Sequence, residues 1–154
     1  MKVIIKKAEV EDAEKILSLQ KEAFRNVADL YSHCTIPPMT ENLETLLGEF
    51  KNKVVLKASI DGKIVGSIRA FKENGTCYLE KLMVRPSLQG QGIGTKLMQA
   101  IEGHFKGSVK RIQLSTVHKS TANIRLYEKL GYVTYKTEKV NNDVTFVYME
   151  KCIA

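Results

Sequence analysis

Apolar positions in this chain follow two periods in turn. VIIKKA (3–8) predicts a strand. Between 11 and 30, Ala13, Ile16, Leu17, Ala23, Phe24, Val27 and Leu30 fall on one face of an amphipathic helix. ENLETLLGEF (41–50) predicts a short second helix, capped by Thr40 with Glu41 in its first turn. KVVLKASI (53–60) and KIVGSIRAF (63–71) flank Asp61-Gly62, a strong hairpin signal. TCYLEKLMV (76–84) follows the turn Glu73-Asn74-Gly75 and ends before Pro86. The helical period returns with Ile93, Leu97, Met98, Ile101 and Phe105. RIQLST (111–116) is a further strand, and ANIRLYEKL (122–130) a helix closed by Gly131. YVTYKTEKV and DVTFVYME, joined at Asn141-Asn142, complete the order βααβββαβαββ. The expectation is one α/β (α+β) domain over residues 1–154, with no internal repeat.

Composition changes this picture little. The 154 residues are 44% hydrophobic and 27% charged, which places the chain among ordinary soluble globular proteins. No apolar run reaches the roughly 20 residues of a membrane span, and MKVIIKKAEVED turns charged too soon for a signal peptide. Cys34, Cys77 and Cys152 show no CxxC spacing, so reduced thiols in a cytoplasmic protein are expected, and no metal. The net charge of +7 admits an anionic ligand or nucleic acid. The basic residues are scattered, however, and no helix-turn-helix or aromatic-basic ribbon supports the latter.

The glycines carry the chemistry. RPSLQGQGIGTKLM (85–98) holds Gly90, Gly92 and Gly94 in five positions. A P-loop requires GxxxxGK[ST], but here Gly94 precedes Thr95-Lys96. A dinucleotide fingerprint requires GxGxxG and a later carboxylate, and the strand at 111–116 ends in Leu114-Ser115-Thr116. Both readings fail. Q-x-x-G-x-G remains, with Gln89, Gly92 and Gly94 between a strand and a helix. Successive amides there, together with the helix's positive end, make an anion nest suited to a pyrophosphate.

EKLMVRPSLQGQGIGTKLM, with STANIRLYEKLGY beyond it, resembles the signature of the GNAT superfamily of N-acetyltransferases, and the element order matches over nearly the whole chain. The resemblance implies a mixed central sheet flanked by helices, with the fourth and fifth strands splayed. It further implies acetyl transfer from acetyl-CoA to an amine without a metal. The pyrophosphate would rest on the amides of Gln89, Gly90, Gln91, Gly92, Ile93, Gly94 and Thr95. The pantetheine arm would pair with the backbone of Leu82, Met83 and Val84. Family members more often carry asparagine where Ser120 stands and alanine where Asn123 stands, so either residue is a candidate for the pantetheine amide.

The same resemblance points to Tyr127 as the acid for the leaving thiolate. A phenol of pKa near ~10 is protonated at pH 7, while a thiol lies near ~8.5. The oxyanion would meet a strand amide near Met83, where the family strand is commonly bulged. Glu80 is the candidate base: strict alternation would put it on a face with Tyr78, Leu82 and Val84, whose apolar flanks would raise its pKa. His118 is the runner-up. Lys96, Lys119, Arg125 and Lys129 are candidates for the 3′-phosphate of CoA. In this fold the acceptor side corresponds to Asn26–Thr40, with Asp29, Tyr31 and His33, and to about Lys139–Asp143. The amine stays unnamed. Dimers are frequent in the family, so a homodimer stays open, as does a CoA-binding sensor or interaction module without turnover.

Overall fold

A computed structural model of the chain describes residues 2–29 and 41–153. Among the described residues four α-helices and seven strands follow the expected order: β1 (Ile4–Lys7), α1 (Ala13–Asp29), α2 (Leu43–Asn52), β2 (Val54–Ile60), β3 (Lys63–Glu73), β4 (Thr76–Val84), α3 (Ile93–Phe105), β5 (Arg111–Val117), α4 (Thr121–Lys129), β6 (Val133–Lys139) and β7 (Thr145–Cys152). The strands form one sheet in the order β1-β2-β3-β4-β5-β7-β6. Only β4 and β5 run parallel, which requires a crossover, and α3 supplies it.

The periodic stripes become two apolar layers. Ile93, Leu97, Met98, Ile101 and Phe105 of α3 are buried against Ile68, Ala70, Cys77, Leu79 and Ile112 on one face of the sheet. Ile16 and Leu19 of α1 and Leu46 of α2 cover Val55, Ile64 and Met83 on the other. The turns behave as their residues dictate: Asp61 and Asn74 take φ of 50° ahead of Gly62 and Gly75. One cap differs from expectation. Asn42, not Thr40, caps α2, accepting from the Thr45 amide at 2.8 Å. Glu41 therefore precedes the helix and is available for other partners.

The expected splay is present. β4 pairs with β5 only at Thr76, Cys77 and Tyr78, while β5 stays paired with β7 from Arg111 to Val117. From Leu79 to Val84 the β5-side edge of β4 has no strand partner among the described residues. Within this stretch Lys81 has φ of 54°, and the register with β3 jumps from Arg69↔Glu80 to Ser67↔Met83. Ile68 thus stands opposite two residues, Lys81 and Leu82: a β-bulge.

The bulge overturns strict alternation. Leu82 and Val84 pack with the α3 layer, whereas Met83 packs with the α1/α2 layer. Glu80 also lies toward α2, where Lys53 meets it. It does not share a face with Leu82 and Val84.

Candidate active site

After β4 the chain makes a short turn, Pro86–Leu88, and runs through the glycines into α3. Gly90 and Gly92 take φ of 80° and 85°, which favour glycine. Gly92 caps α3 and offers no side chain, so the first amides of the helix have no side-chain acceptor. The first intrahelical bond, Lys96 N–H to the Gly92 carbonyl, spans 3.1 Å. Gln89 turns its side-chain amide back to the Val84 carbonyl at 3.3 Å, bracing the strand end. The backbone amide of Gln89 is engaged as well, donating to the Pro86 carbonyl at 3.4 Å.

A cleft of about 660 Å³ opens where β4 and β5 part. Leu82, Met83 and Val84 form one side, and Gln89, Gly90, Gly92, Ile93, Gly94 and Thr95 its floor. Ser120 and Asn123, at the start of α4, form the other side. Of the residues expected at the pyrophosphate and the pantetheine arm, only Gln91 does not line it; that residue is exposed. Lys119, Arg125 and Lys129 stand along the same cleft, and Lys96 does not. Ala23 and Phe24 of α1, Leu88, and Thr121, Ala122 and Leu126 of α4 also line it, and none of them carried a signature of the site in the sequence.

Ser120, a candidate for the pantetheine amide, stands at the start of α4. It occupies the N-cap of α4 with φ −81° and ψ 64°, and its side chain makes no cap bond. Its hydroxyl is buried and has no hydrogen-bond partner among the described residues. A buried hydroxyl in that state is costly, and a polar group entering the cleft would relieve it.

Tyr127 follows Asn123 by one helical turn, on the same side of α4. It is buried, with its ring edge-on to Tyr132 at 6.1 Å between centroids. Burial pushes its phenol above the ordinary value of 10.0, so it is a protonated donor throughout the neutral range. Tyr127 does not itself line the cleft.

Glu80 lacks the apolar setting expected of it. Its carboxylate is 30% exposed and pairs with the Lys53 ammonium at 2.8 Å, and it does not line the cleft. His118 is engaged as well: its Nδ1 accepts from the Thr145 amide at 3.2 Å, and its own amide donates to the Thr145 carbonyl at 2.9 Å. It ties the end of β5 to the start of β7. Of the acceptor-side residues, Tyr31 and His33 lie outside the described residues, as does the Asp29 side chain.

Sequence reasoning missed Arg69. It is fully buried in β3 and donates to Glu41 at 3.0 Å, to Glu49 at 2.9 Å and to the Gln20 side-chain oxygen. The available signal was a lone charge inside the apolar run KIVGSIRAF, which demands buried partners.

Residues 25–153 match the family described as acetyltransferase (GNAT) domain. An uncharacterised N-acetyltransferase of Methanocaldococcus jannaschii is 24% identical over 133 residues, 84% of this chain and 78% of that protein. A spermine/spermidine N(1)-acetyltransferase of Bacillus subtilis is 32% identical over 62 residues, 39% of this chain and 41% of its own length. The crystal structure of a PaiA N-acetyltransferase from Thermoplasma acidophilum, in complex with coenzyme A, superposes with a TM-score of 0.80 at 21% identity. That superposition covers 99% of each chain.

Proposed function

The chain belongs to the GNAT family of acetyltransferases, and from that premise we propose how its own residues move acetyl from acetyl-CoA to an amine. The observation that carries the reading is a convergence at one cleft. The unpaired edge of β4, the uncapped start of α3 and the buried, partnerless hydroxyl of Ser120 all meet there. An extended amide-bearing arm answers the first and third needs, and a pyrophosphate the second.

Ser120 is assigned to the pantetheine arm, because its hydroxyl lacks a partner while Asn123 is only half-buried. Lys119, Arg125 and Lys129, which line the cleft, are assigned to the 3′-phosphate of CoA. Tyr127 donates to the departing thiolate. Its raised phenol pKa makes complete transfer more uphill, but a thiolate held in the same buried region is destabilised too. A strong hydrogen bond carries most of the effect. Glu80 draws the amine proton through a water relay, since it stands beside the bulge but outside the cleft lining. The oxyanion is received at the bulge that follows it.

Among the described residues the cleft lining carries no carboxylate. The spermine acetylation of the Bacillus relative has no described counterpart here, so the acceptor must be found by assay. Free thiols at Cys77 and Cys152 suit work in the cytoplasm. The experiment is CoA release from acetyl-CoA against pooled polyamines, amino acids, aminoglycosides and short peptides, with mass spectrometry of the products. An acetylated amine in any pool supports the reading. Acetyl-CoA failing to bind at all would overturn it.

A further inference from the structure

Six charged side chains alternate in sign around a closed circuit on the α2 side of the sheet. Lys53 Nζ lies 2.8 Å from Glu80 and 2.6 Å from Glu49. Glu49 accepts from Arg69 at 2.9 Å, and Arg69 reaches Glu41 at 3.0 Å. Lys81 Nζ stands 4.0 Å from Glu41, the longest link. Glu80 and Lys81 are consecutive, so the circuit returns to its starting point. That point is the β4 bulge.

Three acids and three bases balance within it, so the circuit offers no net charge to a passing substrate. Nor is stability its evident purpose, because buried ion pairs seldom outdo apolar packing of the same volume. What such an arrangement does supply is geometry, since few placements satisfy every member at once. Lys81 is where geometry is needed. A non-glycine residue at φ 54° is strained, and it persists only where its surroundings over-determine it. The circuit grips the bulge on both sides: Glu80 is tied to the end of α2 through Lys53, and Lys81 to the residue before its cap.

We propose that this circuit is a positioning device for acyl transfer, with Lys53 and Lys81 holding the bulge so that the backbone of Leu82 and Met83 meets the thioester carbonyl in one fixed place. The proposal rests on the reading that acetyl-CoA lies along the unpaired edge of β4. None of the six side chains lines the cleft. In the circuit they act through the backbone they hold, Glu80 in addition to its part as base.

The test needs no acceptor. Acetyl-CoA labelled with carbon-13 at its thioester carbonyl is bound to the full chain, and its carbonyl stretch is read by isotope-edited infrared spectroscopy. CoA affinity is measured separately by calorimetry. Lys53→Met and Lys81→Met are the variants of choice, because both lysines are about one-fifth exposed (21% and 20%), whereas Arg69 is fully buried. The parent is expected to lower the carbonyl frequency. Both variants should bind CoA within about threefold of the parent, with the carbonyl band moved back toward its free position. Lys53→Arg, which keeps the charge, should restore the parent band. The double variant should shift the band no further than either single one, since the circuit acts as a unit.

Variants that bind CoA normally and keep the parent band, losing only thermal stability, would overturn the proposal and leave the circuit a structural fastening. A parent that binds acetyl-CoA without any band shift would overturn it as well. A parent that does not bind would instead sink the underlying cleft reading, and binding alone separates those two failures.

Discussion

Gly66 of β3 lies so close to Met83 of β4 that a β-carbon on the glycine would stand 3.0 Å from the Met83 carbonyl oxygen. The same carbon would meet Leu97 at 3.0 Å and Ile93 at 3.3 Å. The leucine end can yield, but the carbonyl belongs to the strand that carries the bulge. Gly66→Ala is expected to cost about 1–3 kcal/mol by overpacking, read by chemical denaturation. Acetyl transfer should fall with it, because the displaced backbone is the proposed thioester site. Full activity in the destabilised variant would separate the two effects and count against that site.

Tyr127→Phe removes one hydroxyl from a buried ring and leaves its packing on Tyr132 in place. We expect kcat to drop on the order of 10²-fold, a typical general-acid contribution, with acetyl-CoA affinity little changed. Because burial holds the phenol above 10.0, its deprotonation should not limit the parent's rate at or below pH 9. Loss of binding in place of kcat would make Tyr127 structural.

Ser120→Ala should act with opposite signs on fold and ligand. The unliganded protein loses an unsatisfied buried hydroxyl and should gain up to about 1 kcal/mol. Acetyl-CoA binding should weaken by roughly five- to tenfold, the worth of one net hydrogen bond. Thermal melts with and without CoA measure both. Unchanged affinity would move the pantetheine contact to Asn123.

Gly92→Glu introduces a side chain at φ 85° in open space, with nothing within 4 Å of the added β-carbon. The fold should survive a backbone strain of about 1–2 kcal/mol. Acetyl-CoA binding should not, since a carboxylate would stand where the pyrophosphate is expected. A circular dichroism spectrum like the parent's, beside undiminished affinity, would rule out the anion nest.

Stability should fall at both ends of the pH scale. Burial opposes ionisation of Glu49, but Lys53 and Arg69 outweigh it and hold the carboxyl below its ordinary 4.5. Its contribution is present above that value and is lost as acid drives pH down through the lowered one. Lys53 is the mirror case. Burial works against its charge, yet Glu49 and Glu80 raise it above 10.5. Its contribution is complete below 10.5 and disappears as pH rises through the folded value. Urea titrations across both windows should show the losses, and Glu49→Gln should flatten the acid one.

What the sequence determined by itself was local in origin. The stripe Ile93, Leu97, Met98, Ile101 and Phe105 named the buried face of α3 residue by residue, because helical period and burial share one cause. Gly90 and Gly92 located the turn into α3, because positive φ is written in residue type. The rest required chain segments to meet. No residue type near Lys81 announces a bulge; only the family resemblance suggested one, near Met83, and the register of β4 against β3 is what parts Glu80 from the face of Leu82 and Val84. Arg69 finds its partners 20 to 49 residues away, at Glu49, Glu41 and Gln20, a range no periodicity reaches. Ser120 could be suspected as a cap from its type, yet only the folded arrangement left its hydroxyl buried and partnerless beside the cleft. Periodicity and glycine content are properties of neighbouring residues, legible along the chain. Strand register, burial of a polar atom and the closing of a charge circuit belong to residues that become neighbours only on folding.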